Sequence, residues 1–241
     1  MDLSGWFQLL GYDLLAAIWL VGCWSGYAKF AQWRARRTFS ISSVLHHYRS
    51  QWMASMLRRE NRVADASLLS SLERNASFLA STAMLIIAGL VTALASTESV
   101  HAALQTVPVS RHAQTPIQLQ FKIMVLLLVY IYTFFTFTWS MRQYGFCAIM
   151  LGAAPLMAAS DPKAAQFSRH ASSVIDQAGL SYNYGLRAYY FSLSVLVWMF
   201  SLWLFFVAVA LVVAVLYGRE FHSDTLKSMI AAADLKQTED E

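Results

Sequence analysis

Three stretches of this sequence go without a charged residue for longer than a water-exposed helix tolerates. Arg74 and Glu98 are separated by 23 uncharged residues, Lys122 and Arg142 by 19, and Arg187 and Arg219 by 31. A helix needs about 20 apolar residues to cross a hydrocarbon core, so each run is long enough to span one. A fourth segment, Leu3 to Ala28, has Asp13 as its only charge. Spans are therefore predicted over about 6–28, 76–96, 119–141 and 190–217, with polar segments at 29–75, 97–118, 142–189 and 218–241. The spans account for a composition of 57% hydrophobic and 13% charged residues, where an average soluble domain carries about 25% charged. The pattern excludes a soluble globular enzyme. It predicts an all-α polytopic membrane protein, one four-span domain over 1–241.

Orientation follows from Lys and Arg. Nine lie between Lys29 and Arg74 and four between Arg142 and Arg187, against five elsewhere (Arg111, Lys122, Arg219, Lys227 and Lys236). By the positive-inside rule the two long segments are cytoplasmic and both termini face outward. Acidic residues sharpen the contrast, leaving the inner side at +8 and the outer at −4. The basic balance thus describes one face of a bacterial inner-membrane protein and requires no nucleic acid. No basic region precedes the first apolar stretch, so an uncleaved first span is expected rather than a signal peptide. Cys23 and Cys147 are too few and too scattered for a disulfide framework or a thiolate metal site.

The inner segments read as helical. From Val44 the apolar positions Leu45, Tyr48, Trp52, Met53, Met56 and Leu57 recur every three or four residues among His46, His47, Arg49 and Arg58. That is a basic amphipathic helix, suited either to the anionic leaflet or to packing on the other inner segment. Ser160-Asp161-Pro162 reads as a helix start, a capping side chain ahead of a proline, and the helix is expected to stop at Gly179. Two spans extend into the cytoplasm in this reading: no Gly or Pro interrupts Asn61 to Ala88, and the third continues past Arg142 to about Pro155.

Few residues suggest chemistry. All six histidines fall outside the predicted spans, which disfavours membrane haem ligation, and no metal-ligand spacing, nucleophile elbow or phosphate loop occurs. Asp13 is the only acid inside a span. An intramembrane carboxylate is costly, so pairing with Lys122 or Arg219, or a capping role, is weighed against ion transfer. Lys122 itself is read as snorkelling outward, or as the end of a polar stripe with Thr133, Thr136 and Ser140. Ser77, Ser81, Thr92 and Ser96 make a second stripe, and Gly22 with Gly26 a GxxxG in the first span. Small and hydroxyl residues at these spacings serve close helix packing in lipid or line a pore. The densest charged group sits at the inner membrane edge: Arg62, Asp65, Arg74, Arg142, Gln143, Asn183 and Arg187, with Arg62 and Asp65 spaced to pair along a helix. It is a polar network anchoring helices, a basic vestibule for anions or lipid headgroups, or plain positive-inside anchoring.

Three segments carry a resemblance: Arg62-Val63-Ala64-Asp65 followed by Phe78-Leu79-Ala80-Ser81-Thr82; Trp139 to Phe146 running on to Gly152-Ala153-Ala154-Pro155; and Asn183 to Phe191. On these the chain resembles, over nearly its whole length, the family catalogued as domain of unknown function 599. Tyr144 stands where an Asn is expected in that pattern. The resemblance implies a multi-pass helical membrane protein and supplies no activity, substrate or catalytic residue. The function expected first is ion or small-solute permeation through a homo-oligomer, with anions favoured. The competing expectation is a non-catalytic scaffold or accessory subunit of a membrane protein or lipid assembly, exposing Trp19, Trp198 and Trp203 to its partner. Membrane lipids are the expected surroundings; no enzyme activity, cofactor or metal is expected.

Overall fold

The computed structural model describes residues 3–35, 37–106, 115–158 and 161–234, with the backbone alone for 3–10. Arg36, Pro108, Arg111, His112, Ser160, Lys236 and the Thr238 to Glu241 tail lie outside the described residues. Among the described residues there are eight α-helices and no strand: α1 (Leu3–Ala35), α2 (Ile41–Met56), α3 (Val63–Ala95), α4 (Thr97–Gln105), α5 (Pro116–Ala153), α6 (Pro162–Trp198), α7 (Leu202–Phe221) and α8 (Asp224–Ala232). Four stretches are long and apolar enough to cross a membrane: Gly11–Ala35, Val63–Ala95, Pro116–Ala153 and Leu202–Ala232. At 1.5 Å per residue the 38 residues of α5 reach about 57 Å, nearly twice a core of about 30 Å. Gly145 and Gly152 do not interrupt α5, because a single glycine costs a helix only about 1 kcal/mol.

Helix ends follow local chemistry. Ser40 caps α2 through a capping box, its hydroxyl accepting from the Ser43 amide while the Ser43 hydroxyl accepts from the Ser40 amide. Asp161 starts α6, its carboxylate accepting from the Lys163 amide at 2.8 Å, with Pro162 at the first helical position. Two boundaries differ from the sequence reading. Gly179 does not end α6, which continues to Trp198. A Cβ at Gly179 would lie 2.5 Å from Arg49 Nη2, so this glycine makes room for a guanidinium on α2. Conversely, the apolar run expected as one span over 190–217 turns at 199–201. The Met199 and Phe200 amides bond the carbonyls of Leu196 and Val197, tightening the last turn of α6, and the Ser201 carbonyl receives Phe205 as α7 begins. No Gly or Pro marks this turn. Trp198 and Phe205, both fully buried, stack across it at 5.0 Å, and that packing substitutes for a sequence breaker.

The chain forms two compact units whose boundaries fall inside helices. Unit 1 comprises Met1–Phe30, Ser81–Phe134 and Leu186–Leu216; unit 2 comprises Ala31–Ala80, Phe135–Gly185 and Tyr217–Glu241. Unit 1 buries Leu20, Leu119, Ile123, Leu126, Phe191 and Trp198 and leaves much apolar surface outside, including Trp19, Leu85 and Trp203. Only 11% of the apolar window in α3 is buried, a face suited to lipid rather than water. Trp198, expected on an outer face, is instead turned fully inward. The core of unit 2 brings Met53, Met56 and Leu57 of the α2 end together with Tyr144, Cys147 and Leu151 of α5 and Ala171 and Ile175 of α6. The apolar face of α2 is thus spent on protein packing.

Candidate functional site

In unit 1 two charges are buried together. Asp13 on α1 and Lys122 on α5 are 5% and 7% exposed, with Nζ 3.6 Å from Oδ1. The ammonium also lies 5.7 Å from the centre of the Trp198 ring. Lys122 therefore does not snorkel; its charge is compensated within the helices. Burial of either charge alone costs several kcal/mol, which is why such groups occur paired. One turn before Trp198 on α6, Ser194 Oγ is buried without a hydrogen-bond partner among the described residues.

The two hydroxyl stripes have different surroundings. Thr133 is fully buried and donates to the Val129 carbonyl at 2.7 Å, Thr136 is half-buried, and Ser140 donates to the Ala178 carbonyl of α6 at 2.7 Å. This stripe packs helices. On α3, Ser81 and Thr92 are exposed and Ser77 is half-buried. Thr92 and Ser96 donate to the carbonyls of Ala88 and Thr92 on their own helix, which satisfies them without water. Gly22 and Gly26 are exposed and a Cβ at either would meet nothing within 4 Å, so the GxxxG packs against no neighbour among the described residues.

Unit 2 holds a clasp built from the segments that carry the family resemblance. Arg62 directs its guanidinium at the carbonyls that end α5, donating Nη1 to Leu151 at 3.2 Å and to Ala154, and Nη2 to Pro155 at 3.1 Å. A helix C-terminus leaves four carbonyls unpaired and partially negative, so a forked cation there satisfies several at once. Asp65, 2% exposed in the first turn of α3, accepts from Trp52 Nε1 at 2.6 Å and from Arg59 Nη1 at 2.5 Å. The expected Arg62–Asp65 pair is thus replaced by two separate sets of partners. Arg62 is the N-cap residue of α3, its carbonyl accepting the Ala66 amide, and its side chain turns to the α5 carbonyls instead of to Asp65. A second carboxylate, Asp176 on α6, holds α2 from another side, bonding His46 and, at 3.1 Å, Arg49. Gln143 accepts from Ser181 at 2.9 Å. A Cβ at Gly185 would lie 2.7 Å from the Phe137 ring, the close approach of α5 and α6 that lets Ser140 reach Ala178.

The seven charged and amide residues singled out by sequence therefore have separate surroundings. Arg62, Asp65 and Gln143 are structural contacts; Asn183 is half-buried. Arg74 is exposed, and Arg142 is exposed over Phe146, one turn along its own helix, at 5.6 Å. Arg187 belongs to unit 1, where it lies 5.5 Å from the Tyr27 ring centre. The partners that sequence reasoning missed are Trp52, Asp176 and Gly179; only Asp176, an acid amid an apolar helical pattern, carried a local signal. Among the described residues no three His, Cys, Asp or Glu side chains gather as metal ligands would.

All-helical architecture among the described residues, four spanning-length apolar stretches and the buried Asp13–Lys122 pair mark a multi-pass membrane protein. The chain belongs to the family described as "Protein of unknown function, DUF599", whose model matches residues 15–225. No curated protein and no solved structure matches it.

Proposed function

We propose that this protein is a non-catalytic scaffold or accessory subunit of the bacterial inner membrane, with its Arg-rich segments in the cytoplasm and its termini outside. One observation carries the reading: the polar groups of α5, from Lys122 through Thr133 to Ser140, are matched inside the chain. A stripe that lined a water-filled passage would leave its polar side chains free to face the permeating solute, whereas Lys122, Thr133 and Ser140 are each buried and partnered. What remains available to a partner is the apolar exterior of α1, α3 and α7, with Trp19, Leu85 and Trp203 prominent, and the unused Gly22–Gly26 face. Thirteen Lys and Arg in the two long segments against five elsewhere support the orientation.

A second reading, permeation through a homo-oligomer with anions favoured, rests on the exposed Ser81 and Thr92 of α3. One experiment separates the two. The full chain is reconstituted in liposomes, its oligomeric state is measured in nanodiscs, and chloride and small-solute flux are recorded. The scaffold reading expects no flux above empty liposomes and retention of a partner or second copy through α1 or α3. Flux abolished by Ser81→Leu with Thr92→Leu would replace it with permeation.

A further inference from the structure

Unit 2 contains a cleft of about 520 Å³ between α2 and α6. Its polar lining is His47, Ser50, Gln51 and Arg58 from the α2 side and Ser168 and Arg169 from α6. We propose that this cleft binds a phosphate group, carried either by a phospholipid headgroup or by a soluble phosphate compound.

The sequence places the donors on one face. Positions 47, 51 and 54 recur at steps of four and three along α2, Arg58 follows in the turn just past its end, and 164, 165, 168 and 169 bring the facing surface of α6 to the same space. Ala164 is buried at the floor, and the exposed Ala54 and Ala165 leave open space on the walls that longer side chains would fill. Among the described residues no carboxylate lines the cleft. That absence is local, because His46 and Arg49 on the neighbouring face of α2 are both bonded to Asp176. Among the described residues Arg58 and Arg169 form no ion pair. Both guanidiniums are exposed at the mouth of the cleft, and an anion held there gains two cationic neighbours at once. Guanidiniums suit phosphate because their paired N–H groups match its oxygens. Gln51 lies 2.8 Å from His47 Nε2; with the amide donating to Nε2, Nδ1 carries the imidazole proton as a further donor. Ser168, 6% exposed, places a hydroxyl on the inner wall. The volume lies within the range of about 300–1,000 Å³ typical of small-molecule sites and exceeds what one phosphate fills, so the rest of an ester fits with it.

The test uses the full-length protein in phosphatidylcholine nanodiscs at constant sodium chloride. Titrations with inorganic phosphate and, separately, with dioctanoyl phosphatidic acid are followed by calorimetry and thermal unfolding. Saturable binding is expected, at least about tenfold weaker in Arg58→Gln/Arg169→Gln, since each removes a charge-assisted contact. Ala165→Trp, which fills the cleft without touching a charge, is expected to weaken binding as strongly; if the double variant fails to fold, Arg169→Gln alone takes its place. Binding of phosphatidic acid alone assigns a lipid headgroup, binding of phosphate alone assigns a soluble compound, and binding of both assigns the shared phosphate. Failure of both probes with the wild-type chain, or unchanged affinity in Ala165→Trp and the Arg variants, overturns the proposal.

Discussion

Asp13 and Lys122 show how a single residue is constrained in this chain. Each charge is tolerable only because the other is 3.6 Å away. Asp13→Ala leaves an uncompensated ammonium and is expected to cost about 3–5 kcal/mol, whereas Asp13→Leu combined with Lys122→Met is expected to be near neutral. Denaturant unfolding in detergent measures both, and an Asp13→Ala loss below about 1 kcal/mol would show that the pair is not buried in this way. This pairing was legible in part: a lone acid and a lone base at the same end of apolar runs call for partners, although Arg219 was an equal candidate. The glycines were less legible. Gly179 resembles a helix stop, yet it serves the approach of Arg49, and Gly185 serves that of Phe137. A missing side chain reveals its purpose only when the neighbour that uses the space is known.

At the scale of elements, α2 is gripped at Trp52 and Arg59's loop by Asp65 and at His46 and Arg49 by Asp176, while Arg62 ties the start of α3 to the end of α5. Arg62→Ala is expected to destabilise the chain by about 3 kcal/mol, because several carbonyls lose a charged donor together. Arg62→Lys should recover less than half, since an ammonium cannot fork across them. Thermal unfolding of the purified protein checks the order wild type, Lys, Ala; equal stability of the Lys variant and wild type would deny the forked contact its weight. Helical periodicity announced α2, α3 and α5 because an apolar stripe repeats whatever it packs against. The turn at 199–201 was silent in the sequence, since it depends on Trp198 folding inward onto Phe205 and Lys122 rather than on any residue with a helix-breaking backbone.

For the molecule as a whole, orientation is the most accessible expectation. Single cysteines introduced into 29–75 and 142–189, in a chain lacking Cys23 and Cys147, should react with an impermeant thiol reagent only from the cytoplasmic side. An alkaline phosphatase fusion at the C-terminus should be active; the reverse pattern would invert the topology. By itself the sequence determined the helical membrane class, the number of apolar stretches and the sorting of charge, because hydration cost acts on each segment irrespective of its neighbours. The tertiary structure alone decided that the α5 stripe is packed and the α3 stripe is not, that Arg62 and Asp65 part company, and that Arg58 and Arg169 border one cleft. Those outcomes depend on which helix faces meet in space, and residues 100 positions apart leave no mark on each other's local pattern.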